Sequence, residues 1–163
     1  MIITPNDAIL GATVTEIDLH QPVSDGDFGR ILRALGEHGV LRFPDQRIEA
    51  GVLRDFSARF GELQVIKGIP YFEPGMPEVS ILSNIVENGK QVGVPDAGQD
   101  WHTDMTYNRV VGFVNALVAH RVPVRDGEVL GATEFANTVA AYDDLPDDMK
   151  RRLADATATH DLN

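Results

Sequence analysis

Cysteine is absent from all 163 residues. Disulfides, zinc–thiolate centres and cysteine nucleophiles are thereby excluded. Any metal must be held by His, Asp or Glu, a donor set that suits iron, manganese or zinc without thiolates. Positive charge is also scarce: 14 Lys and Arg stand against 25 Asp and Glu, a formal net charge of -11, with a pI near 4.7. Nucleic acid is disfavoured as a partner, because phosphate contacts need clustered Lys and Arg. An anionic membrane surface is disfavoured for the same reason. Long apolar runs are missing. The most apolar stretch, residues 110–119, is broken by Gly112 and Asn115 and falls well short of the roughly 20 residues a spanning helix needs. The first ten residues show no basic region followed by an apolar stretch, so the expectation is a soluble, cytoplasmic protein. The nucleotide-binding patterns GxGxxG and GxxxxGK[ST] are absent, as are repeats, low-complexity tracts and flexible linkers.

What is present suits a single domain over residues 1–163, and 43% hydrophobic content suffices for a core. Residues 9–19 read as a strand or turn region. Ser24 is placed to cap a helix whose first turn carries Asp25 and Asp27. Phe28, Ile31, Leu32 and Leu35 then recur at i, i+3, i+4 and i+7, one buried stripe, and Gly39 can end the helix in a left-handed conformation. Residues 40–43 read as a strand. A second helix over residues 49–60 should bury Leu53, Phe56 and Phe60, with Gly61 as its cap. Residues 79–82 read as another strand. Residues 84–100 show almost no apolar periodicity, and a loop of that length is usually functional or disordered; it reads as a lid. Residues 112–122 and 132–136 look like strands, and residues 138–143 and 147–156 like helices, with Pro146 at a start position where proline is tolerated. The acidic residues Asp143, Asp144, Asp147 and Asp148 read as a solvated helix start favoured by the macrodipole.

The segment WHTDMTY, residues 101–107, sets His102 and Asp104 two positions apart between aromatic groups. In an extended segment, side chains at i and i+2 share a face, so one imidazole and one carboxylate can grip one ion from one side. Asp supplies a hard anionic oxygen and neutral imidazole a borderline nitrogen. Together they form two-thirds of the 2-His-1-carboxylate triad of non-haem Fe(II) oxygenases, which leaves positions open for a co-substrate and O₂.

WHTDMTY resembles the W-H-[ST]-D-x-[ST]-[FY] segment of the TauD/TfdA family, the Fe(II)/2-oxoglutarate-dependent dioxygenases related to taurine dioxygenase. Three further stretches agree in order. LGATVTEIDLHQPVSDGDFGRILRALGEHGVLRFPDQ is similar to the family's N-terminal helix–strand segment. DFSARFGELQ is similar to its F-[AS]-x-x-[FL]-G-x-[LP] helix end. GATEFANTVAAYDDLPDDMKRRL is similar to its G-[GD]-T-x-F-x-x-x-x-A-A-Y-x-x-L-P segment. The resemblance covers nearly the whole chain. It implies a mixed α/β, β-rich fold: a double-stranded β-helix (jelly roll) with flanking helices, incomplete at its C-terminus. It implies Fe(II) as cofactor and 2-oxoglutarate as co-substrate, with O₂ and a small-molecule substrate as partners, in a homo-oligomer. His102 and Asp104 become catalytic metal ligands. Thr133 in GATEF takes the place of a threonine that hydrogen-bonds 2-oxoglutarate. Tyr71 and Asn84 lie in segments that approach the substrate in relatives.

In one respect the chain departs from that pattern. The family's second histidine ligand, and the arginine that pairs with the distal carboxylate of 2-oxoglutarate, lie in a C-terminal region with no counterpart here. The resemblance therefore implies the N-terminal part of a longer protein or a truncated gene product. His160 matches a histidine near the end of a later helix rather than the ligand and reads as a structural or surface residue, and His120 reads as structural; His20 and His38 fall in the N-terminal segment, where His38 near a helix C-terminus suits the dipole. Gly68 in KGIPY stands where taurine dioxygenase-like sequences carry a histidine, which argues against taurine as substrate. From the residues alone, Thr133 is equally a strand threonine, Tyr71 a half-buried tyrosine and Asn84 a turn asparagine. Two other functional classes fit as well: a non-catalytic truncated or assembly domain, and a zinc hydrolase using His102 and Asp104.

Overall fold

The computed structural model describes residues 1–66 and 68–159. They pack as two compact units, one formed by Met1–Arg47 with Ala119–Ala158 and the other containing Ile48–Val118.

In the first unit, β1 (Ile2–Pro5) and β2 (Ala12–Thr15) pair antiparallel, and β2 pairs parallel with β3 (Leu41–Arg42). The crossover between the parallel strands is α1 (Asp25–His38), as parallel pairing requires. Ser24 caps α1 through its side chain, which accepts from the Asp27 N–H at 3.1 Å. The core of this unit is small and wholly apolar: Ala12 and Val14 from alternate positions of β2, Leu19, and Ile31 and Ala34 from α1. The expected stripe differs at one member. Leu32 is exposed and Ala34 is buried in its place, because Leu32 lies about 100° around the helix from Ile31, at the rim of the covered face. Gln46 fastens two loops at once. Its Nε2 donates to the carbonyls of Ile17 and Pro44 at 3.0 and 3.2 Å, and its Oε1 accepts from the Leu19 N–H at 2.9 Å.

Gly39 ends α1 at φ 70, with its N–H bonded to the Leu35 carbonyl at 2.8 Å. A Cβ there would stand 2.8 Å from Leu10 Cδ2, so both the backbone and the packing ask for glycine. Gly39→Ala should cost about 1–2 kcal/mol, the range for forcing an L-residue into that conformation. Urea denaturation of the variant against wild type checks this.

The rest of the unit contains a hairpin, β4 (Val124–Arg125) with β5 (Glu128–Val129), and two helices, α2 (Thr138–Asp143) and α3 (Asp147–Leu153). Asn137 caps α2 by accepting from the N–H groups of Val139 and Ala140, both at 3.0 Å. Asp147 and Asp148 fill the first turn of α3, where the helix dipole favours them.

The second unit opens with α4 (Ala50–Ser57), continued by a 3₁₀ turn (Ala58–Phe60) that closes at Gly61. Leu53, Phe56 and Phe60 are half-buried rather than fully covered. Phe56 and Phe60 meet edge to face with centroids 5.5 Å apart. Two hairpins follow: β6 (Phe72–Glu73) with β7 (Met76–Ser80), and β8 (Val86–Glu87) with β9 (Lys90–Gln91). The segment expected to be a structureless lid thus contains β8 and β9, joined at Asn88 and Gly89 with φ 51 and 75. Both residues are left-handed, the requirement of a two-residue hairpin turn. A parallel bridge between Leu82 and Val94 ties the far side of this hairpin back to the chain.

Residues 112–122 and 132–136 are not strands, contrary to expectation. A strand exists only where a neighbour accepts its backbone hydrogen bonds, and among the described residues no ladder joins either segment. The small sheets and helices give a mixed α/β structure. Among the described residues no helix is long and apolar enough to cross a membrane.

Candidate functional site

His102 and Asp104 lie in the second unit, where the chain leaves residues 84–100 and enters a turn over residues 104–107. Met105 sits at φ 60, a conformation that few non-glycine residues adopt. This reverses the chain immediately after Asp104. The turn is held by the Asn108 N–H donating to the Met105 carbonyl at 3.0 Å, by the Thr103 hydroxyl donating to Thr106 at 3.2 Å, and by the Tyr107 hydroxyl contacting Met105 Sδ at 3.2 Å.

Within this frame the two polar side chains converge: His102 Nε2 is 3.4 Å from Asp104 Oδ1. The other ring nitrogen, Nδ1, is 2.6 Å from the Asp100 carbonyl oxygen. A carbonyl only accepts, so Nδ1 carries the proton. In the neutral ring Nε2 then presents a lone pair directly to a carboxylate oxygen. Two acceptors placed this way can share a proton or a metal ion. Two cis donors at about 2.1 Å from one ion lie roughly 3 Å apart, close to the observed separation. A backbone carbonyl that fixes the imidazole tautomer is also the usual support of a metal-binding histidine. The donor set therefore fits a divalent metal.

The remaining carboxylate oxygen is taken as well. Asp104 Oδ2 accepts from Asn115 Nδ2 at 2.5 Å. Sequence reasoning gave Asn115 no role beyond interrupting an apolar run, although a lone amide among Val114, Ala116 and Leu117 was a signal of a polar task. Gly98, at φ +74, lies against the imidazole; a Cβ there would be 3.4 Å from His102 Cε1. The site is open, with both His102 and Asp104 side chains about half exposed and Trp101 beside them 69% exposed.

The other candidates lie on other segments of the chain. Tyr71 is half-buried next to β6, its carbonyl accepting from the Ile81 N–H at 3.0 Å. Asn84 is exposed just before β8. Thr133 is exposed and belongs to the first unit, whereas His102 and Asp104 belong to the second. Among the described residues no third His, Asp or Glu joins His102 and Asp104. His160 lies outside the described residues.

Known proteins resemble the chain along nearly its whole length. Pentalenolactone F synthase of Streptomyces avermitilis is 34% identical over 161 residues, covering 97% of this chain and 51% of the synthase. The (S)-phenoxypropionate/alpha-ketoglutarate-dioxygenase of Sphingobium herbicidovorans is 30% identical over 170 residues, covering 99% of this chain and 53% of that enzyme. The chain thus spans about half the length of the curated relatives it matches. Among solved structures, that of AAD-2 in complex with Mn(II) and N-oxalylglycine overlaps 41% of this chain and 27% of its own, at 24% identity and a TM-score of 0.38. The family described as taurine catabolism dioxygenase TauD, TfdA family matches residues 3–163, and the chain belongs to that family.

Proposed function

We propose that the protein carrying this chain is an Fe(II)/2-oxoglutarate-dependent dioxygenase that hydroxylates a small organic substrate. The observation that carries this reading is the convergence of His102 Nε2 and Asp104 Oδ1 at 3.4 Å, with the opposite ring nitrogen committed to the Asp100 carbonyl. The relatives support it, since they include alpha-ketoglutarate-dependent dioxygenases acting on phenoxypropionate and 2,4-dichlorophenoxyacetate. When bound, iron supplies the oxidising chemistry that couples O₂ to decarboxylation of 2-oxoglutarate. The balance is 2-oxoglutarate, O₂ and R–H giving succinate, CO₂ and R–OH.

The chain's own residues hold and orient. His102 and Asp104 are the catalytic metal ligands, Thr133 donates its hydroxyl to 2-oxoglutarate, and Tyr71 and Asn84 face the substrate. The family match runs across both units, which supports residues 1–163 as one domain, the N-terminal portion of a double-stranded β-helix with flanking helices. A reaction that draws on metabolic 2-oxoglutarate fits a cytoplasmic protein.

The decisive assay follows succinate formation by the complete polypeptide with Fe(II), 2-oxoglutarate and a panel of small carboxylic acids. Succinate should appear only when Fe(II), 2-oxoglutarate and O₂ are all present. Turnover of any substrate without O₂ and 2-oxoglutarate would instead indicate a His/Asp metal hydrolase.

Exposed apolar side chains favour self-association as the solution state. Val110, Phe113 and Leu117 are 74%, 70% and 65% exposed within a few residues of one another, and patches of that kind normally find a partner. Light scattering on the 163-residue chain should report a species larger than its 17.8 kDa.

A further inference from the structure

The carboxylate of a metal-binding aspartate has two equivalent oxygens and a soft terminal torsion. Left alone it can turn either oxygen to an ion or offer both. Asp104 is not left alone: Asn115 Nδ2 donates to Oδ2 at 2.5 Å while Oδ1 faces His102 Nε2 at 3.4 Å. The amide turns its NH₂ side to Asp104, because an ionised carboxylate only accepts. We propose that Asn115 is a positioning residue that fixes Asp104 as a one-oxygen metal donor and aims that oxygen at the point shared with His102. The inference rests on the reading of His102 and Asp104 as ligands.

Three features support a dedicated role. Asn115 comes eleven residues after Asp104, on the far side of the turn, so the contact is not a by-product of local chain geometry. It is the one polar side chain in residues 113–118, among Phe113, Val114, Ala116, Leu117 and Val118. It is also neutral. A Lys or Arg in its place would compete with the metal for the anionic charge, whereas an amide orients the carboxylate without neutralising it. Together with the Asp100 carbonyl on His102 Nδ1, each ligand then has a fixed outer partner, as metal sites generally require.

The test is a Mn(II) titration of the complete polypeptide, read both as Kd and as the electron paramagnetic resonance spectrum of the bound ion. Wild type, Asn115→Leu, Asn115→Ala and His102→Ala are compared. Leucine keeps the shape of asparagine without its donor; alanine removes the amide without adding apolar surface. Both Asn115 variants should bind Mn(II) about 10–100-fold more weakly. The spectrum of the bound ion should change as Asp104 becomes free to offer both oxygens, while the thermal midpoint stays within a few degrees of wild type. His102→Ala should lose binding altogether. Wild-type affinity and spectrum in both Asn115 variants, with binding lost in His102→Ala, would overturn the role of Asn115 and leave the ligand assignment standing. Undiminished binding in His102→Ala would overturn the ligand assignment and this inference with it.

Discussion

Replacing His102 with alanine in the complete protein should abolish both metal retention and 2-oxoglutarate turnover, and Asp104→Ala should do the same. The two donors converge on one point from a single short turn, so neither has a nearby substitute, and among the described residues no third His, Asp or Glu stands in reserve. Losing a direct ligand must exceed the roughly 10–100-fold that loss of an outer partner costs, which takes the affinity below what survives desalting. Asp104→Glu should be nearly as damaging. One extra methylene carries the carboxylate past the point it shares with Nε2 and displaces the oxygen bonded to Asn115. Metal analysis after gel filtration, together with succinate release, measures both effects. Wild-type turnover in either alanine variant would reject the assignment. Loss of turnover with full metal retention would move His102 or Asp104 from ligand to some later role.

The contrast between the two halves of this site shows what a sequence can carry. His102 and Asp104 were legible because their relation is local: two positions, one face, and chemistry that follows from residue type. Asn115 was not, because the turn at Met105 brings it back to Asp104 and nothing in the composition announces a left-handed methionine. The fold divides in the same way. The helix from Asp25 to His38 was legible at both ends, from Ser24 as cap and Gly39 as terminator, since capping is written in single residues next to the helix. The hairpins at Asn88-Gly89 and Asp126-Gly127 are written in the sequence in the same local way. Both dipeptides adopt the paired left-handed conformations that make such sequences the strongest short-range hairpin signal. Residues 112–122 failed for the opposite reason. Their apolar, β-branched character states a preference for strand, but a strand needs a partner, and pairing is a property of the whole sheet rather than of the segment.

The same division between local pattern and packing sets the largest stability effect. Ile31 is fully buried on α1, one of the two largest side chains in that state, and its unit has few other buried residues: Ala12, Val14, Leu19 and Ala34. Ile31→Ala should destabilise the fold by about 2–5 kcal/mol, the sum of lost transfer energy and the cavity left behind. Because the unit has so few other buried side chains and Ala34 is too small to fill the gap, the cost should fall in the upper part of that range. At roughly 2–4 °C per kcal/mol for a chain of this size, the midpoint should drop by about 10 °C. Ile31→Val, which removes one methylene, should cost only about 0.5–1.5 kcal/mol. Leu32→Ala is the control. The sequence stripe gives Leu32 the same weight as Ile31, but Leu32 is 40% exposed, and substitutions outside a packed core usually stay near 0.5 kcal/mol. Thermal and urea unfolding of the three variants separates the two views of α1: equal losses at Ile31 and Leu32 would restore the stripe drawn from periodicity, and a loss confined to Ile31 places the buried face on Ile31 and Ala34.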